Sequence, residues 1–276
     1  MTRAPAGTSR WGCACTCPRG GPTTRVACPP PASPKRSAHK TKGQIALELL
    51  DRVRREGIPG RTVVADAGYG NSGTFRDGLG QRGLRYVVGV APETVVFARP
   101  PRWRLPKQGR RGKPPTRWVL ADDSTRPVAV AELGRQLPRR RVAWREGTKG
   151  ALSAPFAWVR VWPGADWHRG LRVRPEPVWL LVEEQPGGVL KFALSNLPAG
   201  TPRRAAVRLW KQRWRVEQGH QQMKEELRLD HFDGRSWQGF HHLAAIVLLA
   251  YGFLLLEQAR PQPEPTGPGK KGAYCR

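Results

Sequence analysis

Residues 61–90 read RTVVADAGYGNSGTFRDGLGQRGLRYVVGV, and this stretch decides the fold class. Thr62–Ala65 is a short β-branched run, residues 72–81 suit a short helix, and residues 84–90 form a second apolar strand. Strand, helix and strand in that order make a βαβ unit, so the two strands are expected to lie parallel in an α/β fold. Asp66 stands where the first strand ends, and open α/β sheets hold their ligands just outside the carboxyl ends of strands. Gly68 and Gly70 let the chain turn tightly behind it. Gly68, Gly70 and Gly73 also satisfy G-x-G-x-x-G, with Glu93 twenty residues beyond. A dinucleotide is the weaker reading. Asp66 would place negative charge beside the pyrophosphate, Gly78 and Gly80 weaken the helix that should bind it, and no further βαβ series follows.

On the N-terminal side, TKGQIALELLDRVRREG from Thr41 to Gly57 reads as an amphipathic helix with a glycine stop. Residues 1–40 have no acidic side chain and no periodicity; they read as a disordered basic tail and a candidate out-of-frame segment. Residues 92–200 change to short apolar pieces broken by Pro and Gly, a β-rich region with candidate strands at 117–120, 142–145, 156–161, 178–182 and 190–194. Its segments RVAWREGTKG and FAWVRVW carry Arg and Trp together and are available for nucleic-acid contacts, although each Trp alone could equally fill a core. Residues 261–276 read as a second disordered tail.

Residues 205–229, AAVRLWKQRWRVEQGHQQMKEELRL, contain no Pro and one Gly, which predicts one helix of about seven turns. Trp210, Arg213, Glu217 and Lys224 then share an arc of roughly 60°. Leu209, Val216, Met223 and Leu227 form an apolar stripe to the side. Taken alone, such a face is most often a solvated one with i,i+4 ion pairs. Residues 243–256 follow as an apolar run of fourteen, read as a buried core helix because a spanning helix needs about 20. His231, His241 and His242 read as helix-end or core histidines, and Ser236 lacks a nucleophile elbow.

The 276 residues carry 48 Lys and Arg against 21 Asp and Glu, a net charge of +27. That excess points to a polyanion, and eleven Trp add stacking surface, so nucleic acid is the expected partner and a membrane is not. Cys13, Cys15, Cys17, Cys28 and Cys275 all fall in the tails, which argues against a disulfide framework, and C-x-C-x-C is tighter than zinc-site spacing. The start lacks an apolar leader, so the expected setting is cytoplasmic, at the nucleoid when bound to DNA.

The spacing Trp210-x2-Arg213-x3-Glu217-x6-Lys224 resembles the Y-R-E-K signature of insertion-sequence transposases of the DDE superfamily, in the IS-four-like group. VVADAGYG around Asp66, WREGTKG from Trp144, LSNLP from Leu194 and LDHFDGRSWQGFHH from Leu229 are similar to segments of the same group. The resemblance implies an RNase H-like core with a β-rich insertion between the second Asp and the Glu. Residues 41–91 would be the first part of the core, 92–200 the insertion, and 201–260 the second part with the catalytic-Glu helix and the apolar helix. Asp66 would be the second catalytic Asp and Glu217 the catalytic Glu, both ligands of Mg²⁺ or Mn²⁺ in a two-metal site. Hard carboxylate oxygens suit that ion and in-line displacement at a phosphodiester. Trp210, Arg213 and Lys224 would hold transposon-end DNA, and a homodimer on DNA is the candidate assembly. Trp210 stands where the signature has Tyr.

The resemblance also implies an earlier Asp on a preceding strand. Before Asp66 the only acids are Glu48, Asp51 and Glu56, in or beside the predicted first helix. The core is therefore expected to be incomplete at its N-terminal strands, as in a truncated or frame-shifted copy, with the edge of its sheet exposed and no cleavage by this chain alone. The alternatives are a catalytically silent DNA-binding remnant and a generic basic nucleic-acid-binding protein.

Overall fold

Thr41 starts the first helix, α1 (Lys42–Arg55), with a capping box: its Oγ1 accepts from Gln44 N at 3.3 Å while Gln44 Oε1 accepts from Thr41 N at 2.8 Å. Glu56 ends it, and Gly57 follows with φ +74°. This computed structural model describes residues 39–107, 113–121, 125–145, 150–165, 167–171, 174–234 and 236–260. The disorder expected of the tails, and all five cysteines, lie outside the described residues. The chain divides into two units, one of residues His39–Gly219, the other of His220–Arg276 with Met1–Ala38.

In the first unit α1 leads to β1 (Thr62–Ala65), a four-residue turn of helix α2 (Ala67–Gly70), α3 (Gly73–Gln81) and β2 (Arg85–Val90). Ser72 Oγ caps α3 by accepting from Phe75 N at 3.2 Å. β1 and β2 pair parallel, Val63 opposite Tyr86 and Ala65 opposite Val88, as the βαβ reading expects. After them come β3 (Val95–Phe97), β4 (Trp103–Arg104), β5 (Val119–Leu120), β6 (Val128–Ala129), α4 (Val130–Gln136), β7 (Arg140–Arg145), β8 (Leu152–Pro163), a 3₁₀ turn at Trp167–Arg169, β9 (Val178–Glu184) and β10 (Leu190–Ser195). The main sheet runs β1-β2-β10-β9-β8-β3-β6, with β7 also paired to β8, and β4 and β5 form a separate ribbon. β1 and β2 are parallel and every other pairing is antiparallel, so the fold is α/β with a mixed sheet. β9 and β10, from the region read as an insertion, extend the same sheet as β1 and β2.

Strand alternation gives the sheet two buried faces. Tyr86, Val88, Leu180, Val182, Phe192 and Leu194 point to one, which packs with Phe75 and Leu79 of α3 and with Ala46, Leu47 and Leu50 of α1. Val87, Leu181, Ala193 and Phe156 point to the other, covered by Ala206, Val207 and Trp210 of α5 (Arg203–Lys211). Asn196 locks β10 to β2: its Oδ1 accepts from Tyr86 N at 2.7 Å and its Nδ2 donates to Leu84 O at 3.0 Å. The LSNLP segment is thus a structural clamp. β1, its residues half-buried, has β2 on one side and no strand on the other among the described residues.

The single helix expected over residues 205–229 is two helices, α5 and α6 (Trp214–Glu225). Arg213 N, Arg215 N and Val216 N bond three residues back, a tightened turn that redirects the chain. The cause is tertiary: α5 buries Trp210 on the sheet, whereas Val216, placed on the predicted apolar stripe, is 60% exposed.

Within the second unit, Ser236 caps α7 (Trp237–Ala259), its Oγ accepting from Gly239 N at 3.0 Å, and Tyr251 Oη donates to Gln222 Oε1 at 3.1 Å. Phe232 and Phe240 meet at 5.8 Å. The apolar run of residues 243–256 lies inside the longer α7, and among the described residues of its own unit nothing covers Ile246, Leu248, Leu249, Phe253 or Leu256. A helix apolar on every side needs cover on every side, and sequence alone does not reveal whether the chain supplies it. By length and composition its 23 residues could also cross a membrane, a property that core helices of soluble proteins share.

Candidate active site and nucleic-acid interface

Asp66 follows β1 and opens α2, where its carbonyl accepts from Gly70 N at 2.9 Å. Its side chain is exposed and makes no capping bond; a Cβ added to Gly68 would come 3.1 Å from its Oδ1. Gly70 is glycine because a Cβ there would stand 1.9 Å from the Gly89 carbonyl oxygen, and buried Arg76 donates to the carbonyl of Gly70 itself. Gly70 thus lets α2 lie tightly on β2, whereas Gly68 faces the Asp66 side chain.

Glu217 sits in the first turn of α6, exposed, and accepts from Arg213 in an i,i+4 ion pair. The Arg213 guanidinium lies 5.9 Å from the Trp210 ring centre. The helix break therefore keeps these three residues in sequence through space. Trp210 departs from the expected DNA contact: it is buried, and its Nε1–H donates to Glu183 Oε2 at 2.7 Å. Its ring tip reaches the backbone beside Asp66, since a Cβ at Gly89 would be 3.3 Å from both Trp210 Cη2 and the Asp66 carbonyl carbon. Trp210 and the start of α2 thus both pack close to Gly89 of β2. Lys224 is exposed in the last turn of α6.

Glu183 is the residue that sequence reading missed. It is 2% exposed, and beyond the Trp210 bond it accepts from Lys211 and from Gln185. Three donors satisfy a carboxylate that would otherwise be costly to bury. A signal was present: in VWLLVEE strict alternation puts Glu183 on the face of Trp179 and Leu181, toward α5.

The Lys211 ammonium also stands 4.4 Å over the Trp144 ring, whose edge meets Phe156 at 6.1 Å. Arg208 Nε donates to the Trp144 carbonyl at 3.1 Å, and the Arg145 guanidinium lies 6.0 Å from the Trp214 ring centre. Between these groups lies a cleft of about 400 Å³.

The histidines serve local structure: His241 Nδ1–H donates to the Trp237 carbonyl at 2.8 Å, and Ser236 is a helix cap. Among the described residues no group of three or more His, Cys, Asp or Glu comes together. Exposed carboxylates such as Asp66 and Glu217 are the hard-oxygen donors that Mg²⁺ or Mn²⁺ takes.

The family model for the DDE superfamily endonuclease matches residues 21–151. The match takes in Asp66 and residues 21–40, which composition had set apart as tail, and it stops short of Trp210, Arg213, Glu217 and Lys224. No curated protein matches the chain. The match supports a DDE-type endonuclease or transposase, and the mixed α/β sheet is consistent with the RNase H-like fold of that superfamily.

Proposed function

We propose that this chain is an insertion-sequence transposase copy of the IS-four-like kind that retains DNA binding and does not cleave DNA by itself. One observation carries the reading: Trp210, Arg213 and Glu217 stand next to one another at the spacing of the signature, in a chain that matches the DDE superfamily endonuclease model around Asp66, and among the described residues no cluster of three acids forms. The side of β1 that has no strand among the described residues supports it, because a preceding strand would lie there in a complete core. Asp66 and Glu217 are the carboxylates that would hold Mg²⁺ or Mn²⁺ in a completed site, supplying an activated water or 3′-hydroxyl for phosphodiester attack. Arg213 restrains Glu217, and Lys224 offers a point charge to phosphate. Assembly as a homodimer on transposon ends belongs to the same proposal.

The test is Mg²⁺- or Mn²⁺-dependent nicking of a labelled duplex carrying the element's own terminal repeats, with Glu217→Gln beside it. Retained binding without nicking is the expected result. Nicking that disappears in Glu217→Gln would overturn the impairment, and equal affinity for a random duplex would reduce the protein to a general basic nucleic-acid binder.

A further inference from the structure

We propose that the cleft lined by Trp144, Arg145, Arg208, Lys211, Trp214 and Arg215 is a second DNA contact, one that seats consecutive backbone phosphates of a bound strand. It rests on the DNA-binding reading above and concerns residues outside the Trp210, Arg213, Glu217 and Lys224 set.

Four cations and, among the described residues, no acid line the cleft. Lys211 is already neutralised, because Glu183 behind it accepts its proton-bearing nitrogen, and its remaining face covers Trp144. Arg145, Arg208 and Arg215 have no carboxylate partner among the described residues, and all three are exposed. Uncompensated guanidinium groups held this close repel one another and gain from an anion between them. Their planar forks match phosphate oxygens in pairs, which a carboxylate-bearing peptide matches less densely along its length.

The cleft is also built to keep its shape. Arg208 is fixed by the Trp144 carbonyl, and Lys211 pins the Trp144 ring against Phe156. α5 itself is fixed to the sheet by Trp210 on Glu183. Trp144 is therefore a wall of the cleft, with both faces of its surroundings already taken. Arg145 and Arg215 are exposed cations with no carboxylate partner among the described residues, and the Arg145 guanidinium lies 6.0 Å from the ring centre of the 41% exposed Trp214. Because α6 begins at Trp214, a strand seated here would run on toward Glu217, one turn further along the same helix.

The experiment measures affinity of the full chain for a duplex of about 25 base pairs across a salt series. Arg145→Ala/Arg215→Ala is compared with Lys42→Ala/Arg52→Ala, which removes two exposed cations from α1. Each phosphate contact contributes about 0.9 to the slope of log affinity against log salt. The cleft variant should lower the slope by about 2 and weaken binding roughly 10- to 100-fold at moderate salt, while the α1 variant changes the slope by less than about 0.5. A cleft variant with an unchanged slope, or an α1 variant with an equal loss, would overturn the proposal. Displacement of the duplex by polyglutamate as effectively as by unlabelled DNA would overturn its phosphate chemistry. If the unaltered chain binds no DNA at all, the functional reading fails first, and the two failures are thereby distinguished. Both variants change exposed side chains, and their thermal transitions should coincide with that of the parent.

Discussion

Two neighbourhoods on the same sheet are held in opposite ways. Around Glu183, a buried carboxylate is met by Trp210, Lys211 and Gln185, and the α5 helix is fastened by that contact. Around Asp66 and Glu217, the carboxylates stand exposed, one without a side-chain partner among the described residues and one in a surface ion pair. The difference teaches that acids of one chemical type can serve unrelated ends: packing requires the first, and nothing in the packing requires the other two. The fold can therefore survive changes at Asp66 and Glu217 that it would not survive at Glu183.

The sharpest way to break that contrast is Glu183→Ala. It strands the Lys211 ammonium and the Trp210 N–H, so unfolding titrations should show a loss of about 3–5 kcal/mol. A loss below about 1 kcal/mol would mean that Glu183 is no anchor.

A second probe of the buried side is alkaline pH. Burial pushes the Tyr86 phenol up to about 12, with Arg76 opposing and Asp77 adding to the shift. The folded state then holds the proton more tightly than the unfolded chain, whose value is 10.0, so stability is intact below pH 10 and lost as pH rises toward 12. The two units correspond to about 3 kcal/mol, and Tyr86→Phe should flatten denaturant midpoints over that window.

Next comes Gly70→Ala, which drives a Cβ against the Gly89 carbonyl. It should cost about 1–3 kcal/mol and displace α2 together with Asp66. The smallest effect belongs to the exposed side. Glu217→Gln should change stability by no more than about 0.5 kcal/mol, and a larger shift would erase the contrast from which these predictions start.

The βαβ unit was legible because a β-branched run, a Ser cap and a second apolar run each favour the element they form, and the observed bounds fall within a residue of the expected ones. The candidate strands at 142–145, 156–161, 178–182 and 190–194 were legible for the same reason, inside longer observed strands. The break between α5 and α6 was not, since Lys211, Gln212 and Arg213 are good helix formers and the turn is imposed by burial of Trp210. Of the site, the spacing of Arg213 and Glu217 correctly gave their ion pair. The Trp210 bond to Glu183 was not legible, because spacing records position and carries no information about which partner a donor finds inside the fold. The exposure of α7 was hidden for a related reason, as an apolar run states what a helix needs around it and says nothing of what is there.

If the side of β1 that lacks a strand among the described residues is open, it limits how much of this protein a cell can hold. Edge pairing between two copies is second order in their concentration, so a chain made sparsely stays apart while the same chain made abundantly finds itself. Only the brevity of the strand, Thr62–Ala65, limits that meeting. Gene dosage, more than sequence, would then decide whether copies of this chain remain dispersed or gather.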